Sequence, residues 1–129
     1  MIVSGYQTEW VVDDEHSLDN ILRTRDDMKG GEFWLADVAG EYPCLSIIIY
    51  QNLSTIHYFP KENHPGFRCL GGEGLPSGGM TIFVYQGCDP RDGIEIPNKF
   101  VVPFTTALAV AKEFFRSRKL PASVQWFEL

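Results

Sequence analysis

Long apolar runs are missing from this sequence. The longest fall far short of the ~20 residues needed to span a bilayer, so no membrane segment is expected. The opening Met1-Ile2-Val3-Ser4-Gly5 lacks a basic stretch followed by an apolar core. No secretory signal is therefore expected, and the cytoplasm is the expected location. Cysteine is scarce: Cys44, Cys69 and Cys88 make three. An odd count without close spacing argues against a disulfide framework and for a reducing compartment. A surplus of positive charge is lacking too, with 17 acidic residues against 11 Lys and Arg and a formal charge of -6. Neutralising a phosphate backbone takes basic residues, so direct nucleic-acid binding is disfavoured. An acidic domain suits a basic protein partner, whose approach its field would speed. Solubility alone would also account for the charge.

The motifs of catalysis and metal binding are equally scarce. His57 and His64, with Cys69, could be imagined as metal ligands, but no Cys-x-x-Cys, His-x-x-x-His or repeated ligand spacing occurs. Gly71-Gly72-Glu73-Gly74 invites comparison with a phosphate cradle. Such a cradle opens onto a helix N-terminus, often with a lysine. Here the glycines precede a strand pattern, no Lys or Arg lies between Arg68 and Arg91, and Glu73 would repel phosphate. Pro76-Ser77-Gly78-Gly79 lacks the glycine that precedes the serine of a nucleophile elbow. Arg68 could lower the Cys69 pKa slightly, but no partner base is evident. Asp13-Asp14 and Asp26-Asp27 are charge clusters that can remain solvated. No enzyme activity, catalytic residue, metal or cofactor is expected.

What is present is enough to fold. The chain has 129 residues, 44% hydrophobic and 13% aromatic, which suits one domain over residues 1–129 with one core. Residues 7–12 read as a strand ending in Trp10-Val11-Val12. Ser17 is the expected N-cap of a helix carrying Leu18, Ile21 and Leu22, running to about Asp27 or Met28 and stopped by Gly30-Gly31. Phe33–Ala36 reads as a short strand. Cys44–Tyr50, with Ile47-Ile48-Ile49, reads as a central strand joined by Gln51-Asn52 to an antiparallel partner, Leu53–Phe59. Residues 60–79 are rich in proline and glycine and read as one long loop. Met80–Tyr85 resumes a strand, Gly87–Gly93 is a second loop, and Ile94–Ile96 and Phe100–Val102 read as short extended pieces. The clearest helix carries Ala107, Val110, Ala111 and Phe114 at i, i+3, i+4 and i+7. Pro103 suits its start, and Arg116, Arg118 and Lys119 suit its end. Val124–Phe127 reads as a final strand. The expected fold is α+β: a mostly antiparallel sheet of about six strands with two helices packed on it, in the order β-α-β-β-β-β-α-β.

The C-terminal quarter carries something more specific. Val101-Val102-Pro103, Ala107 to Ala111, Glu113-Phe114-Phe115, Leu120-Pro121 and Val124-Gln125-Trp126 together resemble the closing signature of a family of bacterial immunity proteins. This is the first-numbered immunity group of polymorphic toxin systems. The ending through Trp126-Phe127-Glu128-Leu129 is particularly similar to the member that neutralises a double-stranded-DNA cytidine deaminase toxin. Pro103 departs from that pattern, where a capping serine stands, and bears on helix initiation alone. The resemblance is strong over residues 100–129 and extends upstream in layout.

The resemblance implies an antidote that binds a toxin domain and blocks its active site. The implied partner is a zinc-dependent deaminase, with the zinc on the toxin. The expected state is a monomer alone and a heterodimer with the toxin. Acidic and aromatic residues meet in the least regular segments, so the expected binding face comprises Glu62, Glu73, Asp89 and Asp92 with neighbouring Tyr58 and Tyr85. Two other functions stay open. One is a small-molecule-binding or enzymatic domain with the glycine-rich loop as a lid near His57 and His64. The other is immunity against a nuclease toxin.

Overall fold

The computed structural model describes residues 1–88 and 92–129. Its main sheet has eight strands. They are β1 (Ile2–Gly5), β2 (Thr8–Val11), β3 (Gly30–Ala36), β4 (Cys44–Tyr50), β5 (Leu53–Phe59), β6 (Phe67–Cys69), β9 (Val102–Pro103) and β10 (Trp126–Glu128). The spatial order is β10-β6-β5-β4-β3-β1-β2, with β9 also pairing with β5. Every pairing is antiparallel. A separate two-stranded sheet joins β7 (Met80–Phe83) to β8 (Ile94–Pro97). Two helices, α1 (Glu15–Leu22) and α2 (Phe104–Ser117), complete the α+β architecture with a short 3-10 turn at Asn98–Phe100.

The expected class therefore holds, with ten strands among the described residues in place of about six and a different order. The strands not foreseen are short. β1 buries Val3 completely, and the residue before the strand is tied down by Val12 N–H donating to the Met1 carbonyl at 2.8 Å. Four residues with one buried side chain give too brief an alternation to announce a strand. β6 lies inside the segment read as loop and is held on both sides, by β5 and β10.

The first helix differs at both ends. Asp14, not Ser17, is the N-cap: its carboxylate accepts the Ser17 N–H at 2.7 Å. That bond holds the Asp14 carboxyl below its ordinary pKa. At the other end the helix stops at Leu22 because Asp26 organises a competing turn. The Asp26 carboxylate accepts N–H groups from Met28 and Gly30, at 2.8 and 3.1 Å, and a third from Gln86. A side chain that satisfies nearby amides in this way removes the incentive to continue a helix. Gly30-Gly31, expected to be a stop signal, instead begins β3 and pairs with Tyr50 and Ile49.

The second helix follows its reading closely, with Ala107, Val110, Ala111 and Phe114 buried against the sheet. Arg118 ends it in the left-handed region at φ 57°, with its N–H donating to the Phe114 carbonyl. The expected 44–50 and 53–59 pair is present in full, with Tyr50 opposite Leu53. One core, built from Val3, Leu18, Phe33, Ile47, Ile56 and Phe114 among others, lies between the helices and one sheet face.

Candidate interaction surface

The register assigns the two faces of the sheet. Phe33, Ile47 and Ile56 stand in one cross-strand row and are buried in the helix-covered core. One residue further along β3, the row Trp34, Ser46, His57 and Arg68 points the other way. The small β7–β8 sheet covers part of this second face. Phe83, Ile96, Phe100 and Val101 form a second core there and pack on Ile48, Tyr50 and Leu53. On the rest of the face the Trp34 row continues to the edge through Ser4 and Glu9, and one further row runs beside it: Val11, Ile2, Ala36, Cys44, Phe59.

Aromatic rings organise the middle of this open area. Trp34 and Phe59 stack with ring centroids 5.8 Å apart, and Phe59 stacks on His57 at 4.0 Å. His57 is fixed in turn by its Nε2, 2.8 Å from the Pro65 carbonyl, so the neutral ring donates that bond. Burial pulls the His57 pKa below its ordinary value, which favours this neutral form. On the β3 and edge side of the stack large apolar side chains face solvent: Trp34 is 40% exposed, Val38 59%, and Val11, opposite Ile2 on the edge strand, 70%. A concavity of about 400 Å³ opens beside Trp34, lined by Ile2, Ser4, Ala36 and the 37–41 turn. Its charged lining residues are Glu9, Asp37 and Glu41, all carboxylates. Asp37 Oδ1 has a distant cation in Arg118 Nε, 3.8 Å away. The arrangement is an apolar, partly preassembled aromatic face with an acidic rim.

The residues expected to form a binding face are scattered. Tyr58 is 7% exposed and belongs to the core, packed among Phe67, Phe114 and Trp126. It has little surface to offer a partner because its position on β5 points it toward α2, opposite His57. Tyr85 is 6% exposed, and its hydroxyl lies 3.4 Å from Glu32 Oε2. Burial and the Glu32 charge push its phenol up to about 12. Glu62 is exposed in the β5–β6 connection, beyond the Phe59 end of the sheet. Glu73 is exposed in the 71–79 loop, beside the segment Asn98–Val101 where Gly72 is bonded. That segment leads into β9, which pairs with the Leu53 end of β5, so Glu62 and Glu73 lie toward opposite ends. Asp92 is exposed just before β8, and Asp89 lies outside the described residues.

The histidines and Cys69 do not converge either. Cys69 is fully buried on the helix-facing side, and burial raises its thiol to about 11. His64 accepts the Gly66 N–H through Nδ1 and places Nε2 3.4 Å from Glu128. No group of three His, Cys, Asp or Glu suited to holding a metal occurs among the described residues. A second concavity is basic, lined by Arg23, Arg25, Lys29, Gln51 and Asn52. Its arginines already serve the fold: Arg23 binds Asp19, and Arg25 donates to the Leu22 carbonyl and lies over the Phe104 ring.

The open face is not legible in the sequence for an identifiable reason. Trp34 alternates with Phe33 and Leu35, which marks it as the outward residue of a strand. Its importance depends on neighbours from β1, β2 and β5, which only the pairing brings together.

These features define a domain of α+β class whose sheet has one face partly uncovered among the described residues. The family model for immunity protein Imm1 matches residues 7–128, and the chain belongs to that family. Membership assigns it to the immunity proteins of polymorphic toxin systems and points to an antitoxin that binds a cognate toxin. No curated protein matched the chain. No helix among the described residues is long and apolar enough to cross a membrane.

Proposed function

We propose that this chain neutralises a secreted bacterial toxin by binding its catalytic domain and closing the active site, and that the toxin is a nucleic-acid cytidine deaminase. The family match over residues 7–128 carries the antitoxin reading. The deaminase assignment is supported by the C-terminal pattern, from Phe114-Phe115 through Pro121 to Trp126. The chain performs no chemistry of its own: the zinc-activated water that attacks the base belongs to the toxin. It acts in the cytoplasm of the producing cell and of sister cells that receive the toxin.

The formal charge of -6 fits this role. A groove that holds nucleic acid is cationic, and an acidic inhibitor is drawn to it. Exposed Glu62, Glu73 and Asp92 contribute to that field and so to the rate of encounter.

Co-expression tests the reading directly. The toxin domain encoded beside this chain should kill cells alone and spare them when the chain is present. Purified, the pair should form an equimolar complex in which cytosine deamination stops. Unimpeded killing would refute the antitoxin role. Rescue from a toxin that cuts phosphodiester bonds would keep that role and reassign the toxin as a nuclease.

A further inference from the structure

We infer that the toxin docks on the open face of the main sheet, with Trp34 as the central anchor and Glu9, Asp37 and Glu41 as its charged rim. The inference rests on the antitoxin reading. It assigns binding to β1–β3 and the 37–41 turn, not to the loops that carry Glu62, Glu73 and Asp92.

Three observations meet there. Part of the face is uncovered among the described residues: helices protect one side of the sheet, and β7–β8 protects the part of the other near Ile48, Tyr50 and Leu53. Three large apolar side chains are exposed on that uncovered part: Trp34, Val38 beside it in the lining of the concavity, and Val11 on the edge strand opposite Ile2. Contiguous apolar exposure on a folded domain marks an interaction site more often than chance, and tryptophan is a favoured anchor of such sites. Trp34 is also held in place by Phe59, which is stacked on His57, itself tied to Pro65. A ring already ordered before binding loses less entropy on binding.

Charge selects the occupant. The concavity beside Trp34 is lined by three carboxylates and no lysine or arginine. A second copy meeting this face with its own would place carboxylates against carboxylates. A cationic protein surface surrounding a substrate groove places opposite charges together. The complement to this face is therefore a basic rim around an apolar or guanidinium contact that meets Trp34.

The test measures binding of the catalytically inactivated toxin domain encoded beside this chain, by surface-immobilised kinetics at low and high salt. Trp34→Ala should weaken affinity by about 30-fold or more through faster dissociation. Glu9→Lys with Glu41→Lys should slow association about tenfold at low salt and much less at high salt. Both sites are exposed, so these variants should melt like the parent. Val11→Arg, at a position 70% exposed, covers the case in which Trp34→Ala does not fold, and should also weaken binding. Glu62→Lys, Glu73→Lys and Asp92→Lys should change association only modestly and leave dissociation alone. Failure of the unmodified chain to bind would overturn the antitoxin reading and this surface with it. Tight binding that survives Val11→Arg and the Glu9/Glu41 change would overturn the surface alone. Loss of binding confined to the loop variants would move the interface to those loops.

Discussion

Trp34 on β3 and Phe59 on β5 stack with centroids 5.8 Å apart and planes 22° from parallel, although β4 runs between their strands. The contact is possible because β4 supplies small side chains there, Ser46 opposite Trp34 and Cys44 opposite Phe59. Both are buried. The rings pass over a central strand that offers no bulk to keep them apart.

The first prediction follows from that geometry. A double-mutant cycle with Trp34→Ala and Phe59→Ala should return a coupling of about 0.5–1.5 kcal/mol, typical of an aromatic pair. Ser46→Leu should wedge between the rings and destabilise the fold by about 1–3 kcal/mol. Urea denaturation measures both. Additive single mutants would mean that the rings lie near each other without interacting.

How much of this was readable in advance depends on length scale. The β4–β5 pair and α2 were legible because their periodicities run over seven and fourteen residues. α1 was misjudged at both ends by capping chemistry that acts over three or four residues. Asp14 stands three residues before the expected cap, and Asp26 draws three amides into a turn where the apolar pattern allowed more helix. β1 and β6 depend on neighbours distant in sequence. The open sheet face is the least legible part. Glu9, Trp34 and Glu41 share no local pattern, and only the β2-β1-β3-β4 order assembles them. The acids of the irregular segments are visible as charge in the sequence, whereas the exposed apolar groups of the sheet face are brought together only by strand pairing.

Acid should expose the link between the helices. Asp19 on α1 binds Arg23 and also receives Lys112 of α2 at 2.7 Å. These bonds, Arg23 first, lower its carboxyl from 3.8 to about 2. A depressed carboxylate stabilises the fold above its unfolded pKa, and the contribution is lost as pH falls through the folded value. Asp19→Asn should thus cost about 1 kcal/mol at neutral pH, after allowance for solvent screening. The gap between variant and parent should close between about pH 4 and 2. Thermal melts across that range check it, and a pH-independent gap would remove Asp19 from the acid response.

Gly30 should be intolerant of a side chain despite lying in a strand with ordinary backbone angles. A methyl group there would collide with the Val84 carbonyl and stand 2.9 Å from both the Ile49 carbonyl and the Tyr85 Cβ. This is where the chain leaving β7 passes against the end of β3, and where Asp26 receives the Gln86 amide. Gly30→Ala should cost about 2–4 kcal/mol or detach the 84–86 segment. Hydrogen exchange distinguishes the two: detachment exposes the Gln86 amide while the β4–β5 amides stay protected. Gly40, with open space around it, should accept alanine without loss of stability.

Trp126 tests whether the residues that reveal the family also perform its function. Its indole N–H donates to the Pro121 carbonyl at 2.7 Å, and its ring lies 6.3 Å from that of Tyr58 in the core. The bond closes the turn between α2 and β10, which pairs Trp126 with Cys69. Trp126→Phe keeps a ring but leaves a half-buried carbonyl without its donor, and should cost about 1–2 kcal/mol of folding stability. It should not alter the rate at which the folded protein releases the toxin domain, because β10 forms one edge of the sheet and β2, beside the open face, forms the other. Stability by denaturation and dissociation by kinetics must be measured on the same preparation. A stable Trp126→Phe protein that releases the toxin faster would place the C-terminal edge in the interface and make the family signature a binding element.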